Sequence, residues 1–170
     1  DLFAMLQHAA DAGVDFDFAM RASIERSLGC LRPSDAGSPA LASSFRRILR
    51  SHRVGATLRV MAETGVLGRY LPEFERLVAF FQHNVYHYYT ADEHTLIAIA
   101  NAERLREAQG PLGDAFRGLP DTEVLFLALL LHDIAKPLGV ADHEVTGVEI
   151  ARSVLGRLGA QELTEDVGFL

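Results

Sequence analysis

With one cysteine in 170 residues, Cys30, the chain can build neither a disulfide framework nor a thiolate metal site. No apolar run approaches the roughly 20 residues needed to cross a bilayer as a helix, so no membrane partner is expected. Basic residues are the minority: 16 Lys and Arg stand against 23 Asp and Glu, a net charge of −7. That balance argues against a nucleic-acid module, which normally carries a basic patch or stripe. The local exception is Arg46, Arg47, Arg50 and Arg53. No aromatic residues interleave there for base stacking, so a solvated helix face is expected. The opening DLFAMLQHAADAG has neither the basic n-region nor the small-residue cleavage site of a signal peptide. A reducing, cytoplasmic compartment fits these absences. Half of the residues are apolar (49%) and under a quarter charged (23%), enough to fill the core of one ordinary globular domain.

Strand patterning is missing too. No convincing period-two stretch occurs, and helical periodicity dominates, so the fold class is all-α, a bundle of about seven to nine helices. LFAMLQHAADAG (2–13) reads as a helix closed by Gly13, and FDFAMRASIERSL (16–28) as a second, capped by Asp15 or Asp17. GCLRPSDAGSP is the clearest loop, and Ser38-Pro39 starts the next helix, which runs to about Ser51. VGATLRVMAETG ends at Gly65, the glycine of a left-handed cap. VLGRYLP reads as a bend, after which EFERLVAFFQHNVYHYY resumes the helical pattern. In TADEHTL, Thr90 and Glu93 have the spacing of a capping box, which puts His94 in a first helical turn. Asp142 can cap the last long helix, placing His143 in a first turn as well.

The stretch FLALLLHDIAKP (126–137) carries the chemistry. A helix this apolar is made to be buried, yet it ends in His132, Asp133 and Lys136 before Pro137 and Gly139 stop it. Burying such groups costs several kcal/mol unless a charge, hydrogen bonds or a metal compensates them. Either the helix end breaks out into solvent or something sits on those side chains. Imidazole and carboxylate are both good ligands for first-row divalent metals. His94, His132, Asp133 and His143, at or near the ends of three helices, make a plausible site. His8 and His52 read as ordinary surface histidines. His83 and His87 are spaced to share an ion across one turn, but no carboxylate stands where metalloprotease helices place one. Phe80, Phe81, Tyr86, Tyr88 and Tyr89 read as core and rim packing.

LLLHDIAKP, with an upstream His and a downstream Asp-His, resembles the HD superfamily of metal-dependent phosphohydrolases, helical proteins with a His…His-Asp…Asp ligand set. Residues 64–96, 119–136 and 141–151 are similar in particular to the central HD domain of bacterial bifunctional uridylyltransferase/uridylyl-removing enzymes, which modify the PII signal protein. FRRILRSHRVGATLRVM (45–61) fits the segment before that domain. The resemblance implies a helical segment at 1–40 and an HD domain at 41–170. It implies metal ligation by His94, His132 and Asp133, with His143 a further ligand or a phosphate contact. Lys136 would lie near the scissile phosphate, and Asp133 would also orient the attacking water. The cofactor implied is a divalent metal, Mn²⁺ or Mg²⁺ first, with Zn²⁺ or Fe²⁺ permitted by the ligand set. The implied substrate is uridylylated PII, and the implied neighbours are a nucleotidyltransferase domain upstream and ACT domains downstream. The superfamily's last Asp is expected beyond Leu170, as in a piece of a longer protein, and PLGVA replaces a glycine-rich turn usual after HDIAK. Two alternatives remain beside this one: a non-catalytic helical module that docks a partner or relays a signal, and an HD hydrolase acting on a free nucleotide. The Gly-Tyr-Pro motif of the cyclic-di-GMP branch is absent.

Overall fold

Local signals set most of the helix ends. In the computed structural model, which describes residues 2–80, 89–139 and 143–169, Gly13 takes a left-handed φ of 67° and closes α1 (Leu2–Ala12). The Asp17 carboxylate accepts from the Met20 N–H at 2.8 Å and starts α2 (Phe18–Ser27). The expected loop is two 3-10 turns, Leu28–Cys30 and Pro33–Gly37. Pro39 then opens α3 (Pro39–Arg50), whose Ala42, Phe45, Ile48 and Leu49 recur at helical spacing and are buried. α4 (Val54–Glu63) ends at Gly65, φ 75°, as its sequence requires.

Two expectations fail in the next segment. VLGRYLP is a short helix, α5 (Val66–Tyr70), rather than a bend. Val66, Leu67 and Tyr70 lie on its inner side and are fully buried, so packing outweighs the short length. Among the described residues between it and Thr90, only α6 (Pro72–Glu75) is helical. The Leu77, Val78 and Phe80 N–H groups bond three residues back, and Ala79 takes φ 58°. A β-carbon resists that conformation, and the helix does not continue through it. His83, His87, Phe81, Tyr86 and Tyr88 lie outside the described residues. Phe80 is half-buried and Tyr89 exposed.

The second half supplies α7 (Ala91–Arg104), α8 (Pro111–Arg117), α9 (Thr122–Leu131), α10 (His143–Arg157) and α11 (Thr164–Phe169). Among the described residues there is no strand, and eight of the α-helices have seven residues or more, within the expected range. α3 packs on α1 and α9, α4 on α7, and α7 and α11 on α9. The buried apolar side chains form one continuous cluster running from Phe3 and Leu6 through Phe45, Leu58 and Phe126 to Leu155 and Val167. α9 is its axis, with Phe126, Leu127, Leu130 and Leu131 buried. Among the described residues, no helix is long and apolar enough to cross a membrane.

The arginine cluster is exposed at Arg47 and Arg50, as a solvated face should be, but each of its members is also paired. Arg46 Nε donates to Glu123 at 2.6 Å, Arg50 reaches both Asp121 (3.0 Å) and Glu123, Arg47 pairs with Asp11 (3.1 Å), and Arg53 pairs with Asp15. Each guanidinium bridges to another helix or its flank. The partners sit far away in sequence, which is why the pairing does not show in the sequence alone.

Candidate metal centre

α7 begins where Thr90 and Glu93 suggest, with Thr90 as its cap residue and the His94 N–H donating to the Thr90 carbonyl at 2.9 Å. The capping box itself does not form, because both Glu93 oxygens are held by Arg59 of α4, at 2.9 and 3.0 Å. A bidentate guanidinium fixes both the plane and the direction of a carboxylate. It therefore locks the first turn of α7, and with it the residue next to Glu93, His94.

α9 stops at Leu131, one residue before the polar triplet, rather than running through it. From there the chain tightens. The Ile134 N–H donates to Leu131 O (3.1 Å), that of Lys136 to Asp133 O (3.0 Å), and that of Leu138 to Ala135 O (3.0 Å). These three-residue turns place His132 and Asp133 just off the helix axis, so neighbouring side chains that would diverge on a regular helix converge. Gly139, at φ 63°, ends the stretch.

One ligand atom from each of His94, His132 and Asp133 lies within 4.8 Å of the other two. The imidazole centroids of His94 and His132 are 5.5 Å apart, with the rings inclined at 55°. His132 Nδ1 lies 2.7 Å from the Leu129 carbonyl. A carbonyl only accepts, so Nδ1 carries the proton and Nε2 keeps its lone pair. That lone pair faces the cluster, with Nε2 3.4 Å from Asp133 Oδ2. Such a separation fits two donors of one ion, each about 2.0–2.2 Å from it. The other carboxylate oxygen, Oδ1, pairs with Lys136 Nζ at 2.8 Å. Asp133 is 5% exposed, whereas both histidines open to solvent. Lys136 thus offsets the cost of burying one oxygen of this carboxylate, and the other lies beside the His132 lone pair in the ligand cluster.

His143 opens α10, but its side chain lies outside the described ones, so its expected ligand role has no geometry here. Beside the cluster lies a cleft of about 430 Å³ between the end of α9, α10 and α11, lined among others by His132, Asp133, Lys136, Glu144 and Gly147. Glu144 has no signal in the sequence; only the fold brings it to the same cleft as the triplet. His8 and His52 are exposed, as read from the sequence.

Residues 91–168 match the model of the HD domain family. Over all of the chain, it is 35% identical to a bifunctional uridylyltransferase/uridylyl-removing enzyme of Azospirillum brasilense, covering 19% of that protein. A protein of the same name from Rhodospirillum rubrum is 41% identical over 81% of the chain and 15% of its own length. A third, from Cereibacter sphaeroides, is 45% identical over 66% of the chain and 12% of its own length. The chain thus spans a fifth or less of the curated relatives it matches. No solved structure matches it.

Proposed function

We propose, from the match of residues 91–168 to the HD domain family, that the chain is a metal-dependent phosphodiester hydrolase, the uridylyl-removing part of a bifunctional nitrogen-control enzyme. Its substrate in this reading is uridylylated PII, from which it releases UMP. The observation that carries the reading is the convergence of His94, His132 and Asp133 within 4.8 Å, the last two lining a cleft. We place the domain over 41–170, with 1–40 as a preceding helical segment whose Phe3 and Leu6 join the common core. Flanking nucleotidyltransferase and ACT domains belong to the same proposal.

The family resemblance puts Mn²⁺ or Mg²⁺ first, and the donor set of two imidazoles and one carboxylate permits Zn²⁺ or Fe²⁺ as well. Bound there, the ion supplies a more acidic water at neutral pH and offsets charge on the phosphate. His132 presents Nε2 because Leu129 holds the Nδ1 proton. Asp133 would offer Oδ2 to the ion and would orient the attacking water. Lys136, which lines the cleft, puts a positive charge where the phosphate oxygens gather charge in the transition state. His143 is retained as a further ligand or phosphate contact.

The test uses the full-length protein with Mn²⁺ and uridylylated PII, following UMP release, and with a nitrophenyl phosphodiester as a second substrate. His132→Ala and Asp133→Ala are each expected to lose at least about a hundredfold in rate, in line with removal of a metal ligand. Variants that turn over as fast as wild type would sink the assignment.

A further inference from the structure

The Asp133 carboxylate is divided between two duties. Oδ2 lies 3.4 Å from His132 Nε2 and faces the ligand cluster, while Oδ1 forms an ion pair with the Lys136 ammonium at 2.8 Å. The Lys136 side chain is 27% exposed and lines the cleft beside the cluster; that of Asp133 is 7% exposed. The ammonium therefore has two places to be. It can stay on the buried carboxylate, or it can swing on a flexible four-carbon stem into the cleft.

Charge decides between them. Without a metal, the buried carboxylate needs a counter-charge, and Lys136 is the cation that the structure sets against it. A divalent ion among His94, His132 and Asp133 supplies that counter-charge twice over and repels the ammonium. We propose that Lys136 is the resident counter-ion of Asp133 in the metal-free protein, and that metal binding releases it to face the cleft as the phosphate contact. The proposal rests on the metal-binding reading above and adds to it an order of events: the charge that later meets the phosphate first keeps the unloaded site folded. Lys136 and the metal then compete for one carboxylate. Removing the lysine should weaken the unloaded protein while strengthening its grip on metal, two effects of opposite sign from one substitution.

Thermal melting of the metal-free chain and calorimetric titration with Mn²⁺ test both signs. Lys136→Met is expected to lower the metal-free melting temperature by roughly 5 °C, since it strands a buried carboxylate. The same variant should bind Mn²⁺ roughly tenfold tighter, the worth of one charge-assisted hydrogen bond. Lys136→Arg keeps the charge and should melt close to wild type. In an Asp133→Asn background, Lys136→Met should cost no stability, because the charge it served is gone. That pair remains informative if Lys136→Met alone does not fold. An unchanged metal-free melting point, an equal penalty in the Asp133→Asn background, or weaker Mn²⁺ binding by Lys136→Met would each overturn the proposal. Wild type that takes up no Mn²⁺ would instead remove the metal reading, and this inference with it.

Discussion

At the scale of single residues, the chain separates polar groups that are matched from those that are not. Asp133 is matched on Oδ1 by the Lys136 ammonium. Tyr70 is the contrary case. It is fully buried, its ring lies against Phe3 and Phe45 with centroids 4.6 and 5.3 Å away, and its hydroxyl has no hydrogen-bond partner among the described residues. Burial pushes its hydroxyl up to about 12, so it stays neutral across the working range of the protein. An unmatched buried hydroxyl forfeits its bonds to water and gains none inside. Tyr70→Phe is therefore expected to leave stability unchanged or raise it by up to about 1 kcal/mol, as read from urea denaturation. A loss greater than about 1 kcal/mol would mean that the hydroxyl has a partner after all.

At the scale of elements, helix ends decide where chemistry can stand. Asp121 caps α9, accepting from the Glu123 N–H at 2.8 Å, and also accepts from Arg50 at 3.0 Å. Burial pushes its carboxyl up, but that N–H and the Arg50 guanidinium together outweigh it and hold the carboxyl below its ordinary value. A carboxylate depressed in the folded state stabilises at pH above its unfolded value, and the benefit is lost as pH falls through the folded one. Asp121→Ala should cost about 1 kcal/mol near neutrality, the usual worth of such a cap. The gap to wild type should narrow below about pH 4, where the carboxyl protonates. Denaturant melts at about pH 7 and about pH 3 check both points, and a gap independent of pH would contradict them. Caps and closing glycines such as Asp17, Gly13, Gly65 and Asp121 are local, so their helices are legible in the sequence. Two of the failures share one cause. α5 owes its helix to buried Val66, Leu67 and Tyr70, and Glu93 abandons its box for Arg59, 34 positions away. In both, partners distant in sequence override the local pattern. The site is legible in the same measure: a buried His-Asp pair announces its cost, and His94 its first turn. Glu144 announces nothing, because the fold alone brings it to the cleft.

At the scale of the whole molecule, one buried carboxylate ties the frame that carries the site. Glu123, fully buried, accepts from Arg46 at 2.6 Å and pairs with Arg50. Arg46 donates in addition to the Gly159 carbonyl at 2.6 Å and to Glu162 at 2.9 Å. One guanidinium thus joins α3, the start of α9 and the turn between α10 and α11, and it is the far end of α9 that borders the cleft. Deleting one member of a buried ion pair strands the other, at a cost of about 3–5 kcal/mol, whereas replacing both by apolar groups of similar size is often tolerated. Glu123→Ala should therefore destabilise the chain by about 3 kcal/mol, because two guanidiniums lose their buried acceptor. The double variant Arg46→Met/Glu123→Met should lose less than the sum of its single variants, the sign of a direct coupling. Because the pair lies at the opposite end of α9 from His132 and Asp133, Mn²⁺ affinity in the double variant should stay within about threefold of wild type. Chemical denaturation and calorimetry on the same four proteins decide it. Additive losses would show that the three elements are held by the apolar cluster alone, with Arg46 and Glu123 merely lying across it.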